Sequence, residues 1–139
     1  MKPARTAREN AGALITAAGI AAAAPSVWQT ITHITDETYR APEARHGEGH
    51  VQYHMAREVL ISAGAVGAVA IGVLAGPRRG RAMWRGMAAA AAGFTAAMWS
   101  GGPTTGVWAP NRQAFAIHVA STTGLAAGVL LLRPKGEDR

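Results

Sequence analysis

The chain has 139 residues, enough for one domain with a modest core; 49% are hydrophobic, yet aromatics make up only 6%, so alanine and glycine carry the apolar count. It has no cysteine, which excludes disulfides, zinc ribbons, iron–sulfur clusters and thiol catalysis. A formal charge of +6 ordinarily points to nucleic acid or an anionic surface, but these charges lie between apolar segments, so nucleic acid is not expected as a partner.

Four apolar segments follow one another, and spans are expected at about 11–32, 56–76, 84–102 and 113–132, within a single domain covering 1–139. A helix needs roughly 20 mostly apolar residues to cross about 30 Å of hydrocarbon. The first segment follows Lys2, Arg5 and Arg8 and contains Pro25, which is expected to kink it. Its basic start and the small residues Ala22 and Ala24 also suit a cleaved signal peptide, but Pro25 and the three later segments speak against that. Residues 33–55 are polar. A helix starting near Gly47 or Gly49 is expected to carry the second segment outward by about two turns. The second and fourth segments meet the length requirement well, whereas the first and third are rich in alanine, which gains little from lipid. A soluble bundle would show polar faces every 3.6 residues, and segments two and four show none.

Charge decides the topology. With four spans and an inner N-terminus, the inner regions hold Lys2, Arg5 and Arg8, then Arg78, Arg79, Arg81 and Arg85, then Arg133, Lys135 and Arg139. These are ten of the 14 basic residues, as the positive-inside rule requires. Trp28, Trp99 and Trp108 then fall at the outer interface and Trp84 at the inner one, as an aromatic belt. The expected fold is therefore an all-α integral membrane four-helix bundle, with both termini cytoplasmic and the second helix extended outward beyond the membrane. The plasma or inner membrane is the expected location, and the Ala-, Gly- and Arg-heavy usage suits a bacterial, GC-rich genome.

In lipid, helices associate through small residues that let backbones approach closely. Gly64, Ala68, Gly72 and Gly76 form one stripe at four-residue spacing, and Ala120, Gly124 and Gly128 form another. They are expected to pack within the bundle, against other membrane subunits or against a second copy.

All five histidines fall on the outer side. His46, His50 and His54 repeat every four residues, with Glu58 next in the row, so a helix places them on one face about 6 Å apart. Paired imidazoles with a carboxylate one turn on suit copper or zinc, with His33 and His118 as further candidate ligands. A b-type haem between His54 or His33 and His118 on facing helices is the alternative cofactor. A polar ionisable group inside a span, as His118 is, marks a candidate functional site. Solvated imidazoles and a structural hydrogen bond are the simpler readings.

No catalytic set is legible. The 76–86 loop lacks the Lys-Ser/Thr ending of a phosphate loop, and Ser26, Ser62, Ser100 and Ser121 have no recognisable triad context. No span carries a Lys, Arg, Asp or Glu at mid-depth, against a proton-coupled pump. The leading expectation is a non-enzymatic accessory subunit or homo-oligomeric membrane protein with a His/Glu-rich outer face. An outer-face metal-binding or delivery protein comes next, then a single-haem electron-transfer subunit. The 100–113 loop is expected to roof the outer site, with Trp108 as a lid.

Overall fold

A computed structural model describes residues 5–42, 45, 47 and 49–135. Helix α1 spans Ala7–Ile34, α2 His50–Ala75, α3 Arg81–Trp99, the short α4 Gly101–Thr105, and α5 Arg112–Leu131. Among the described residues there is no strand. The helix starts follow local chemistry. Thr6 and Glu9 form a capping box, the Thr6 hydroxyl accepting from the Glu9 N–H at 3.2 Å while the Glu9 carboxylate accepts from the Thr6 N–H at 2.8 Å. Asn111 Oδ1 accepts from the Ala114 N–H at 2.8 Å and starts α5. Helix α2 begins at His50, six residues before the expected start of its apolar span. Helix α1 runs continuously through Pro25, whose missing N–H leaves the Ala21 carbonyl without its i+4 donor.

Each of α1, α2, α3 and α5 packs on its neighbour in the chain, and α5 closes back on α1, giving an antiparallel ring of four. The α1–α5 seam is the most extensive. Its cause is glycine: a Cβ at Gly19 would lie 2.7 Å from the Leu125 nitrogen, and one at Gly124 would lie 2.7 Å from the Gly19 Cα. Gly128 sits as tightly against Thr16, and Gly12 against Leu131 and Leu132. The stripe expected on α5 is thus matched by an unanticipated one on α1, Gly12–Thr16–Gly19. Gly124 and Gly128 are taken up inside the chain and do not face a partner. On α2 the expected stripe divides, because Gly72 is buried against Met87 of α3 while Gly64 and Ala68 face outward.

Large apolar side chains cover the flanks of the bundle as well as its core, which also admits three hydroxyl residues. Thr16 and Ser121 are fully buried and Thr122 nearly so, whereas Leu14, Leu60 and Leu74 are 72%, 74% and 78% exposed. The buried hydroxyls donate to carbonyls of their own helices, Thr16 to Gly12 at 2.7 Å and Thr122 to His118 at 2.7 Å, so these hydroxyl protons are met. Leu125, Met87, Val69 and Phe94 fill the rest of the centre.

Three helical segments are long and apolar enough to cross a membrane: Ala7–Ile34, His50–Arg78 and Arg112–Leu131. Helix α3, expected as a span, falls short of that standard. The helix starts at Arg81, earlier than expected, so its 19 residues include both Arg81 and Arg85, which lower its hydropathy.

The arginines at the end of the bundle opposite the histidines do more than carry charge. Gly76, at φ +55°, turns its N–H to the Val73 carbonyl and leaves the Gly72 carbonyl for another donor. Arg79 Nη1 meets that carbonyl at 2.8 Å, and Arg79 Nε meets the Leu132 carbonyl at 3.2 Å. Arg5 donates to Val73 at 2.7 Å, Arg8 to Leu130 at 3.2 Å, and the Trp84 indole to Val129 at 2.8 Å. Last-turn carbonyls of α2 and α5 are therefore capped by guanidinium and indole groups, which also suit the negative ends of the helix dipoles. Burial lowers the Arg79 pKa, which the nearby Glu9 carboxylate partly offsets, and the guanidinium stays charged.

Candidate functional site: a polar cleft at the histidine end

Polar positions on α1 recur as Ser26, Thr30 and His33, steps of four and three that share one helix face. That face meets Glu58 of α2, Met98 of α3 and His118 of α5 around a cleft of about 210 Å³, roofed by Pro110. Ser26 contacts the Met98 sulfur at 3.9 Å, and the Thr30 hydroxyl donates to the Ser26 carbonyl at 3.1 Å. The rim is shaped by a 3₁₀ turn, Glu37–Tyr39. Asp36 Oδ1 accepts from the Thr38 hydroxyl at 2.7 Å and from its N–H at 2.9 Å, and these bonds hold the Asp36 carboxyl below its ordinary pKa. The turn stacks Tyr39 on the His33 ring, centroids 3.9 Å apart at 21°.

His118 forms the opposite wall. Trp99 meets its ring edge-on at 5.5 Å and 84°, and the Trp99 indole is fixed by donating to the Thr122 hydroxyl at 3.2 Å. Phe115 braces Trp99 from a further side at 5.7 Å. The His118 Nδ1 is buried and makes no hydrogen bond to protein. Both amide atoms of Gln52 on α2 share that state.

The sequence-derived candidates thus separate. His33, Glu58 and His118 line one cleft. His50 and His54 pair with each other outside it, Nε2 to Nε2 at 3.1 Å with rings edge-to-face at 4.5 Å. His54 is exposed and does not line the cleft, so it is not brought opposite His118 as the haem reading needs. His46 lies outside the described residues. Among the described residues no three His, Asp or Glu side chains come close enough to hold one metal ion, so His50, His54 and Glu58 do not form a three-ligand centre. Sites for drug-sized ligands occupy roughly 300–1,000 Å³. The cleft is smaller and has no room for a haem. The expected lid also differs: Trp108 packs on Gly102 and beside Trp99, while Pro110 covers the cleft. Ser26, Thr30, Met98 and Trp99 were missed as site residues, although the polar spacing on α1 was readable.

The fold and the cleft define a small all-helical bundle with apolar flanks, a polar cleft at one end and arginine-capped helices at the other. Comparison with protein-family models, with characterised proteins and with solved structures finds no match.

Proposed function

We propose that the chain is a four-span integral protein of the plasma or inner membrane, acting as a non-enzymatic subunit of a larger or homo-oligomeric membrane assembly. The histidine end faces outward, and the arginine end lies in the cytoplasm with both termini. The observation that carries this is the apolar exterior: Leu14, Leu60, Ile61, Ile71, Leu74 and Leu130 face outward, while the core admits Thr16, Ser121 and Thr122 among its apolar residues. Such a surface is at home in hydrocarbon and unfavourable in water. Helix α3, with Arg81 and Arg85 in its first turns, does not qualify alone, but it lies between α2 and α5 and enters the bilayer with them. The subunit role is supported by α2, the most apolar of the three candidate spans and the least buried, whose Gly64 and Ala68 offer an open surface for close helix approach.

Single cysteines test the topology cleanly, since the chain has none of its own. With an impermeant maleimide on intact cells, Thr35→Cys is expected to label and Gly80→Cys to label only after lysis. Labelling of both from one side overturns the four-span arrangement. Cross-linking from Gly64→Cys is expected to trap a second copy or a partner, and an uncross-linked monomer counts against the subunit role.

The His50–His54 pair favours a second reading, an outer-face copper or zinc site, because both Nε2 atoms already converge to 3.1 Å. Elemental analysis after incubation with zinc is expected to show metal in the wild type and loss of it in His50→Ala/His54→Ala. Equal content in the two discards the site.

A further inference from the structure

Between α3 and α5 runs an open apolar groove of about 480 Å³, lined by Trp84, Ala88, Ala92, Ala96, Ala126 and Leu130. It exists because alanines face one another where larger side chains would close the gap. From Trp84 to Ala96 it spans twelve residues of helix, about 18 Å at 1.5 Å per residue, close to the roughly 15 Å depth of one leaflet's hydrocarbon. At its arginine end, Trp84 is shared with a second, polar pocket lined by Arg81, Arg85, Arg133 and Pro134. Among the described residues no acidic side chain lines that pocket. Arg133 lies over the Trp84 ring at 5.5 Å, and the indole is anchored to the Val129 carbonyl, so the junction between groove and pocket is fixed. Helix α3 starts here behind Gly80, which supplies no side-chain cap, so the positive end of its dipole adds to the arginines.

We propose that this groove and pocket bind one anionic glycerophospholipid of the inner leaflet. An acyl chain lies along the alanine face between α3 and α5, and the phosphate is held by Arg85, Arg133 and Arg81 beside Trp84. Charge complementarity selects the occupant. In a bilayer an acyl chain gains little by leaving its neighbours for the groove, whereas each arginine near the phosphate adds attraction that a zwitterionic headgroup cancels. This inference rests on the membrane reading above.

The test reconstitutes the full chain into phosphatidylcholine vesicles containing a minor fraction of phosphatidylglycerol. Brominated acyl chains are placed on one lipid or the other, and tryptophan quenching is read against a Trp84→Phe variant to isolate the Trp84 signal. Phosphatidylglycerol is expected to occupy the Trp84 site in preference to phosphatidylcholine by roughly tenfold. Arg85→Gln/Arg133→Gln is expected to abolish that preference. Ala92→Leu/Ala96→Leu, which fills the groove and keeps every arginine, is expected to remove most of the phosphatidylglycerol quenching as well. Quenching by each lipid merely in proportion to its share of the vesicle in the wild type overturns the proposal. So does a preference that survives groove filling, because it then reflects only a basic surface. A chain that alkaline carbonate strips from the vesicles refutes the membrane reading itself, whereas one that stays inserted without lipid preference refutes only the lipid site.

Discussion

Arg79→Met is expected to lower the stability of the bundle by about 3 kcal/mol, read as an earlier loss of helicity during denaturing-detergent titration. The guanidinium joins the ends of two helices that otherwise share little contact, taking the Gly72 carbonyl of α2 at 2.8 Å and the Leu132 carbonyl after α5 at 3.2 Å. Methionine fills much of the volume but donates nothing, and both carbonyls are left short of a partner away from water. Charged hydrogen bonds are worth roughly 1.5–3 kcal/mol each, and the helix dipoles add to the loss. Arg79→Lys is expected to recover less than half of it, because one ammonium lacks the rigid fork that reaches two acceptors. Full recovery by lysine would show that charge alone matters at this position.

Gly19→Val is expected to open the α1–α5 seam, at a cost of about 3 kcal/mol or with loss of folded protein. The new Cβ meets the Leu125 nitrogen at 2.7 Å and the Gly124 carbonyl carbon at 2.8 Å, which are main-chain atoms of the facing helix. No rotamer change relieves such a contact, so the helices must separate along the whole seam. Gly64→Ala supplies the comparison, since nothing lies within 4 Å of a Cβ there. It is expected to leave the melting of the isolated chain unchanged or to stabilise it by up to about 1 kcal/mol, since alanine favours a helix over glycine, while altering any assembly formed through α2. If the two substitutions destabilise equally, the division between an internal seam and an outward face is wrong.

Much of the fold was legible because length and apolarity report helices directly. The start of α2 at His50 followed from Gly47 and Gly49. What was not legible was which helix meets which. Small-residue stripes identify surfaces fit for close approach but not their partners, so Gly124 and Gly128 were read without Gly12, Thr16 and Gly19. The arginines read as a topology signal, yet their capping of α2 and α5 depends on tertiary geometry. The site was half readable. Repeat spacing found His50 and His54, and position within a span found His118. Only folding shows that Glu58 turns with His33 and His118 towards one cleft while His50 and His54 stay outside.

The order of packing has a consequence for biogenesis. The tightest seam joins the first helix to the last, with Arg8 bonded to a carbonyl 122 residues further along. At roughly 5–20 residues per second, a ribosome takes on the order of 6–25 s to make that interval. Throughout it, the glycine-lined side of α1 has no permanent neighbour, while α2 and α3 can already pair. Closure of the ring therefore waits for α5, and a chain interrupted before α5 exposes a sticky flank that a chaperone or protease can read as a sign of incompleteness.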